Sequence, residues 1–286
     1  MEVFYMNDIT IRDLSYKYPT AKEGVLFDIN LEINKGKFYA VIGSNGSGKT
    51  TLCNILRGFI PHFYKGDLTG EVLIDGKDIR NYELGELSKK IGFAFQNPFT
   101  QISGIKETVF EEIAFGLENL GIVRETIKEK VEAALTLFNL ENLRNNNPNE
   151  LSGGQKQRVA LASIVVMEPD ILVIDEPTSQ LDPQSTESIF RIIEMMKKKG
   201  KTIILVEHKI ELIAEYADYV IVMQDGRIAK QGETAEVLKD EKLLIYDAPL
   251  PQYALLGFEM RKRNLELENI PITESEALSA LKNWLD

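Results

Sequence analysis

Apolar and polar residues alternate in "ITIRDLSYKY" and "GVLFDINLEIN", which predicts two half-buried strands near the amino terminus. "KFYAVIG" is a continuous apolar run, the pattern of a strand buried on both faces, and "GKTTLCNILRGF" follows it as a helix. "GEVLIDGKDI" predicts a hairpin that turns at Asp75-Gly76, and "KIGFAFQ" a further strand. From about residue 98 to 168 the texture changes. "KETVFEEIAFGLENLGI" and "TIKEKVEAALTLFNL" carry apolar residues at helical spacing, with no strand pattern between them. Continuous apolar runs then return in "DILVIDE" and "KTIILVEH", and "YVIVMQDGRIAKQG" predicts a closing hairpin. The segment from 234 to 286 differs in composition. Its last part, "TESEALSALKNWL", opens on a capping-box pattern, Thr273 to Glu276, and sets Leu278, Leu281 and Leu285 on one helix face.

Strand-like and helical runs in alternation predict an α/β domain with a largely parallel sheet. The expected division is an antiparallel β subdomain at the amino end, a core over 7–233 with a helical insertion at 98–168, and a small extension at 234–286. Composition changes this picture little. The 286 residues are 44% apolar and 27% charged, ordinary for a globular chain. No apolar run is long enough to span a membrane, and "MEVFYMNDIT" lacks the layout of a secretory signal. The single cysteine, Cys53, fits a reducing compartment and a small apolar filler on a helix. A net charge of −11 argues against broad nucleic-acid binding, which normally needs a basic face.

The chemistry concentrates at strand ends. "GSNGSGKT" matches G-x-x-x-x-G-K-[ST] between a predicted strand and a predicted helix. Its glycines let backbone amides wrap phosphates, and the helix presents its amino end to the anion. Ser44, Asn45, Gly46, Ser47, Gly48, Lys49, Thr50 and Thr51 are the nucleotide-binding candidates. Lys49 is expected to neutralise the outer phosphates and Thr50 to offer a hydroxyl to Mg²⁺. Asp175 and Glu176 end the apolar run "ILVID", so Asp175 is a candidate Mg²⁺ ligand and Glu176 a candidate base for an attacking water. His208 ends the next buried run and is expected at the γ-phosphate. His62, in "FIPHFYKG", reads as an ordinary loop residue. One stretch has no obvious use: "LSGGQ" at 151–155 has the look of a second phosphate loop without a lysine.

These residues, in this order, strongly resemble the ATP-binding-cassette ATPases, over about 7–233. The resemblance implies a P-loop NTPase, RecA-like core. It makes Gly43 to Thr51 the Walker A loop, Ile171 to Asp175 the Walker B strand, Glu176 the catalytic glutamate and His208 the switch histidine. Gln96 is similar to the glutamine that touches Mg²⁺ and senses the transport partner. "SQLD" sits at the D-loop, with Gln180 where alanine is more usual and Asp182 among the binding candidates. Tyr18 in "YKYP" is similar to the aromatic that stacks on adenine. In such ATPases two cassettes meet head to tail, so Ser152, Gly153, Gly154 and Gln155 would serve the partner's γ-phosphate. ATP and Mg²⁺ are the implied cofactors.

A narrower resemblance is to energy-coupling-factor ATPases of cobalt and vitamin importers. It rests on "EEIAFGLENLGI", on "QNPFTQI" with Phe99 in place of a usual Asp, and on the tail "LPQYALLGFEMRKRNLELENIPITESEAL". It implies a second cassette, a transmembrane coupling protein docked in the groove beside Gln96 to Gln101, a substrate-binding membrane protein, and a place at the cytoplasmic face of the membrane. The alternatives are another cassette transporter, a soluble clamp ATPase on DNA or ribosomes, and a regulatory subunit without turnover. Clamp relatives carry long coiled coils or two cassettes per chain, and neither is seen. Complete motifs speak against a dead site.

Overall fold

The alternating amino-terminal runs form β1 (Asn7–Lys17) and β2 (Leu26–Asn34), and the continuous run forms β3 (Phe38–Ile42). This is a computed structural model, and it describes residues 7–179, 181–265 and 267–285. Helix α1 (Lys49–Leu56) leads to the one-turn α2 (Phe59–His62), the hairpin β4 (Asp67–Ile74) and β5 (Lys77–Asp78), α3 (Leu84–Lys90) and β6 (Ile91–Ala94). Among the described residues no strand falls between β6 and β7 (Ile171–Asp175); that stretch holds α4 (Val109–Asn119), α5 (Arg124–Leu137) and α6 (Gly153–Val165). Then come α7 (Pro183–Lys198), β8 (Thr202–Val206), α8 (Ile210–Tyr216), β9 (Tyr219–Gln224) and β10 (Arg227–Glu233). The extension adds α9 (Thr234–Leu238), α10 (Gln252–Lys262) and α11 (Glu274–Leu285).

Two sheets result. One is antiparallel, in the order β2-β1-β4-β5. The other has the order β10-β9-β3-β8-β7-β6, parallel throughout except for β10. The fold is thus the P-loop type expected, a mixed α/β core with an antiparallel subdomain. Every residue of β3, β7 and β8 is buried, as the continuous apolar runs require. Alternation along β3 sorts the core. Tyr39 and Val41 face the antiparallel sheet, Phe38 joins the helical side, and Ala40 and Ile42 meet the extension.

Some expectations shift in detail. Helix α1 was expected to reach Phe59 but stops at Leu56, with Arg57 as its cap. Gly58 then takes a left-handed φ of 78°, and a Cβ there would stand 2.4 Å from Leu87 Cδ1. His62 ends a helical turn rather than lying on a loop, and its Nε2 meets the Ile79 carbonyl at 2.9 Å, a structural role. Cys53 is buried on α1, as expected. In the tail, Glu276 N–H donates to Thr273 Oγ1, but the Glu276 carboxylate accepts from Ile272 rather than from Thr273. Leu278 is 54% exposed, so the leucine face is not sealed by this chain; the Leu285 side chain, Gln180 and residues 1–6 lie outside the described residues.

Candidate functional site

The phosphate loop follows directly from β3. Gly43 has φ 145°, and the Met223 carbonyl lies 2.1 Å from where a Cβ would stand, so only glycine passes this point. The loop residues Ser44, Asn45, Gly46, Ser47 and Gly48 wrap to the amino end of α1, where Gly48 is the cap. Lys49 is almost wholly buried, and its ammonium donates to the carbonyls of Gly43 at 2.8 Å and Ser44 at 2.9 Å. Burial pushes its pKa down, against the pull of Glu176 and Asp175 upward. The Ser47 hydroxyl is buried without a partner among the described residues. A loop with a caged ammonium and an orphan hydroxyl fits a bound polyphosphate. Asn45, Gly46, Lys49, Thr50, Thr51 and Glu176 line a pocket there. Tyr18 meets its edge: the Tyr18 hydroxyl lies 3.3 Å from Thr51 Oγ1, and its ring packs edge-on to Tyr16.

Three adjacent strand ends deliver the candidate site groups predicted from the sequence. Strands β6, β7 and β8 are neighbours and parallel, so Gln96, Glu176 and His208 emerge at one edge of the sheet. Gln96 Nε2 donates to Glu176 Oε2 at 2.6 Å, and His208 Nε2 lies 2.9 Å from Glu176 Oε1. Glu176 has φ 45°, a rare conformation for a residue with a side chain, secured by its N–H donating to Val206 O at 2.9 Å. Burial raises the Asp175 carboxyl's pKa, the Glu176 charge adds to that, and a hydrogen bond with the Thr50 hydroxyl opposes it. Thr50 and Asp175 are oxygen donors side by side, which suits a hard cation that keeps waters and shares phosphate oxygens.

"LSGGQ" lies elsewhere. Ser152 caps α6: its hydroxyl accepts from Gln155 N–H at 3.4 Å, and Gln155 Oε1 accepts from Ser152 N–H at 3.0 Å. Gly153 and Gly154 form the first turn, and none of the four lines the pocket at Lys49. Asp182 caps α7, accepting from Ser185 N–H at 2.9 Å and Ser185 Oγ at 2.6 Å, which depresses its pKa. This chain therefore gathers Tyr18, the phosphate loop, Gln96, Asp175, Glu176 and His208 at one place. It leaves Ser152, Gly153, Gly154, Gln155 and Asp182 at another.

One further residue, Glu207, borders the first place but carries no motif. Glu207 accepts from the Thr178 hydroxyl and from His208 N–H. A charge that closes an apolar run marks Glu207 as it marks Glu176, and that signal was legible in "ILVEH". The segment from Gln96 to Gln101 is tied in as well. Gln101 Oε1 accepts from Phe95 N–H at 3.0 Å, and the Phe99 ring covers the Lys156 ammonium at 4.2 Å.

A phosphate loop feeding a helix from β3, with acidic residues ending β7, the parallel strand one removed across β8, defines a P-loop nucleotide-binding ATPase. The ABC transporter family profile matches residues 26–179, and the chain belongs to that family. The energy-coupling factor transporter ATP-binding protein EcfA of Methanocaldococcus jannaschii is 40% identical over 267 residues, 92% of this chain and 91% of the relative. CbiO1 of Clostridium perfringens, part of an ABC transporter complex CbiONQ, superposes with a TM-score of 0.73 at 33% identity, over 84% of this chain and 93% of that one. A dimeric ATP-binding cassette in a post-hydrolysis state with ADP and Pi superposes with a TM-score of 0.68 at 29% identity, over 79% of this chain and 98% of that one. The chain is an ABC ATPase of the energy-coupling-factor type, and it binds ATP. No described helix is long and apolar enough to cross a membrane.

Proposed function

We propose that the chain is the motor of an importer for a vitamin or transition metal and works as a head-to-tail pair, with itself or with a sibling. One observation carries this reading. Gln96 and His208 both bond Glu176, which lines the phosphate-loop pocket, whereas the amino end of α6, itself of a kind that suits an anion, contributes nothing to that pocket or to those bonds. A second cassette would bring its own Ser152, Gly153, Gly154 and Gln155 to the γ-phosphate, with Asp182 near the seam. ATP would then contact both halves only in the closed state, and hydrolysis would release them.

Within each site, Tyr18 would stack on the base. The amides of Ser44 to Thr51 and Lys49 would hold the phosphates. Mg²⁺, held by Thr50 and Asp175 with Gln96 beside them, would neutralise charge on the phosphates. Glu176 would take a proton from the attacking water, oriented by His208. Residues 7–233 would be the ATPase domain, 98–168 its helical part and 234–286 an extension. A transmembrane coupling protein would dock short amphipathic helices beside Gln96 to Gln101 at the cytoplasmic face, and a separate membrane protein would bind the nutrient. The acidic balance of −11 favours no nucleic-acid partner.

Purification of the tagged chain from its native membranes in mild detergent tests this. An integral membrane protein should co-purify, with or without a second cassette. Recovery of only ribosomal or DNA-bound proteins would overturn it.

A further inference from the structure

Glu207 plays no part in the chemistry above, yet its carboxylate is buried at the end of β8, with the residue 2% exposed. Its hydrogen bonds among the described residues are two. The Thr178 hydroxyl donates to Oε2 at 2.6 Å, and His208 N–H donates to Oε1 at 2.9 Å. Thr178 itself is 0% exposed. A buried carboxylate is costly, and an apolar residue would serve packing alone better. β8 itself is apolar apart from Thr202 at its start, so the carboxylate that directly follows it stands out.

The two donors sit on the two loops that carry the reacting groups. Thr178 follows Glu176 and Pro177 in the loop after β7, and His208 opens the loop after β8. The strands are in register, Asp175 opposite Val206, so these loops leave the sheet side by side. Glu176 and His208 join them on the nucleotide side at 2.9 Å. Glu207 joins them again on the core side. Lys209 reinforces this second link, donating to the Thr178 carbonyl at 3.2 Å and to Thr186 Oγ1 at 2.6 Å.

We propose that Glu207 is a positioning residue that fixes Glu176 relative to His208 through Thr178 and the His208 amide. The inference rests on the roles proposed above for Glu176 and His208. The carboxylate suits the task because both partners donate to it. Glutamine can reproduce the geometry: its oxygen accepts from His208 N–H, and its amide donates to a rotated Thr178 hydroxyl. Alanine at 207 and valine at 178 cannot.

The test is steady-state ATPase activity of the full chain against ATP concentration. Glu207→Ala and Thr178→Val should each lower kcat about 10- to 100-fold, with KM for ATP within about twofold, because misplaced groups cost rate rather than binding. The double variant should be no slower than the worse single one, since the pair acts as a unit. Glu207→Gln and Thr178→Ser should keep kcat within about threefold of the parent, the rescue expected if the hydrogen bonds matter. A wild-type kcat in Glu207→Ala with only a lower Tm, a loss carried in KM, or losses that multiply in the double variant would each overturn the proposal. Glu176→Gln in the same assay separates the two layers. Full activity there sinks the role of Glu176 itself; an inactive Glu176→Gln beside a fully active Glu207→Ala sinks only the positioning role.

Discussion

The Phe99 ring lies over the Lys156 ammonium at 4.2 Å. Lys156 directly follows "LSGGQ"; it is 6% exposed and donates to the Asn149 carbonyl at 2.7 Å. The pair thus ties the segment from Gln96 to Gln101 to the turn that presents Ser152. Cation–π contacts contribute about 0.5–1 kcal/mol when exposed and about 2 when desolvated. Here the cation is buried but the ring is 56% exposed, so about 1 kcal/mol is expected, or about fivefold in an equilibrium constant. A double-mutant cycle isolates it: Phe99→Leu, Lys156→Met and both together, each unfolded in urea. Loss of the Asn149 hydrogen bond is common to both arms that change Lys156 and cancels. The coupling should be near 1 kcal/mol, with Phe99→Tyr preserving it. A coupling inside the ordinary additivity scatter of about 0.3–0.5 kcal/mol would refute the link.

Glu176→Gln should leave ATP binding intact, lower turnover at least about 100-fold and trap an ATP-bound dimer, as read by gel filtration with ATP; undiminished turnover would contradict its role as base. Tyr18→Ala should weaken ATP binding by about 1–3 kcal/mol in a fluorescence titration, whereas Tyr18→Phe keeps the ring and loses only the Thr51 contact. Asp175→Asn should abolish Mg²⁺-dependent hydrolysis yet raise Tm at neutral pH. The Asp175 pKa is raised in the folded chain, so its ionised form costs stability in full above that pKa; the cost fades as pH falls through it and is gone below the unfolded carboxylate range. A gain in Tm that stays constant down through that range would show that burial of the charge is not the cause.

The sequence made the strands legible wherever one period ruled. Alternation marked β1 and β2, unbroken apolar runs marked β3, β7 and β8, and Asp75-Gly76 marked the hairpin of β4 and β5. The site was legible because strand ends in a parallel sheet converge, and Lys49, Asp175, Glu176 and His208 all end or follow such runs. What escaped was partly local and partly set by contacts distant in sequence. Helix α1 stops at Leu56, and the left-handed φ of Gly58 just after the Arg57 cap is a local stop signal that the expected run to Phe59 passed over. Glu207 went unread because its partner Thr178 lies on another loop. The capping of α6 by Ser152 and Gln155 was hidden behind the resemblance of "LSGGQ" to a phosphate loop.

The extension is built into the wall of the domain. Val237, Leu243, Phe258, Ile270 and Ile272 share one core with Ala40 and Ile42 of β3 and with Val220 and Val222 of β9. A chain cut after residue 233 would bare that flank of the sheet to water and would be expected to clump rather than run as a lighter enzyme. It follows that whatever leans on the tail leans on β3, the strand that delivers the phosphate loop. α9 follows β10 without an intervening residue, so the push is not absorbed there.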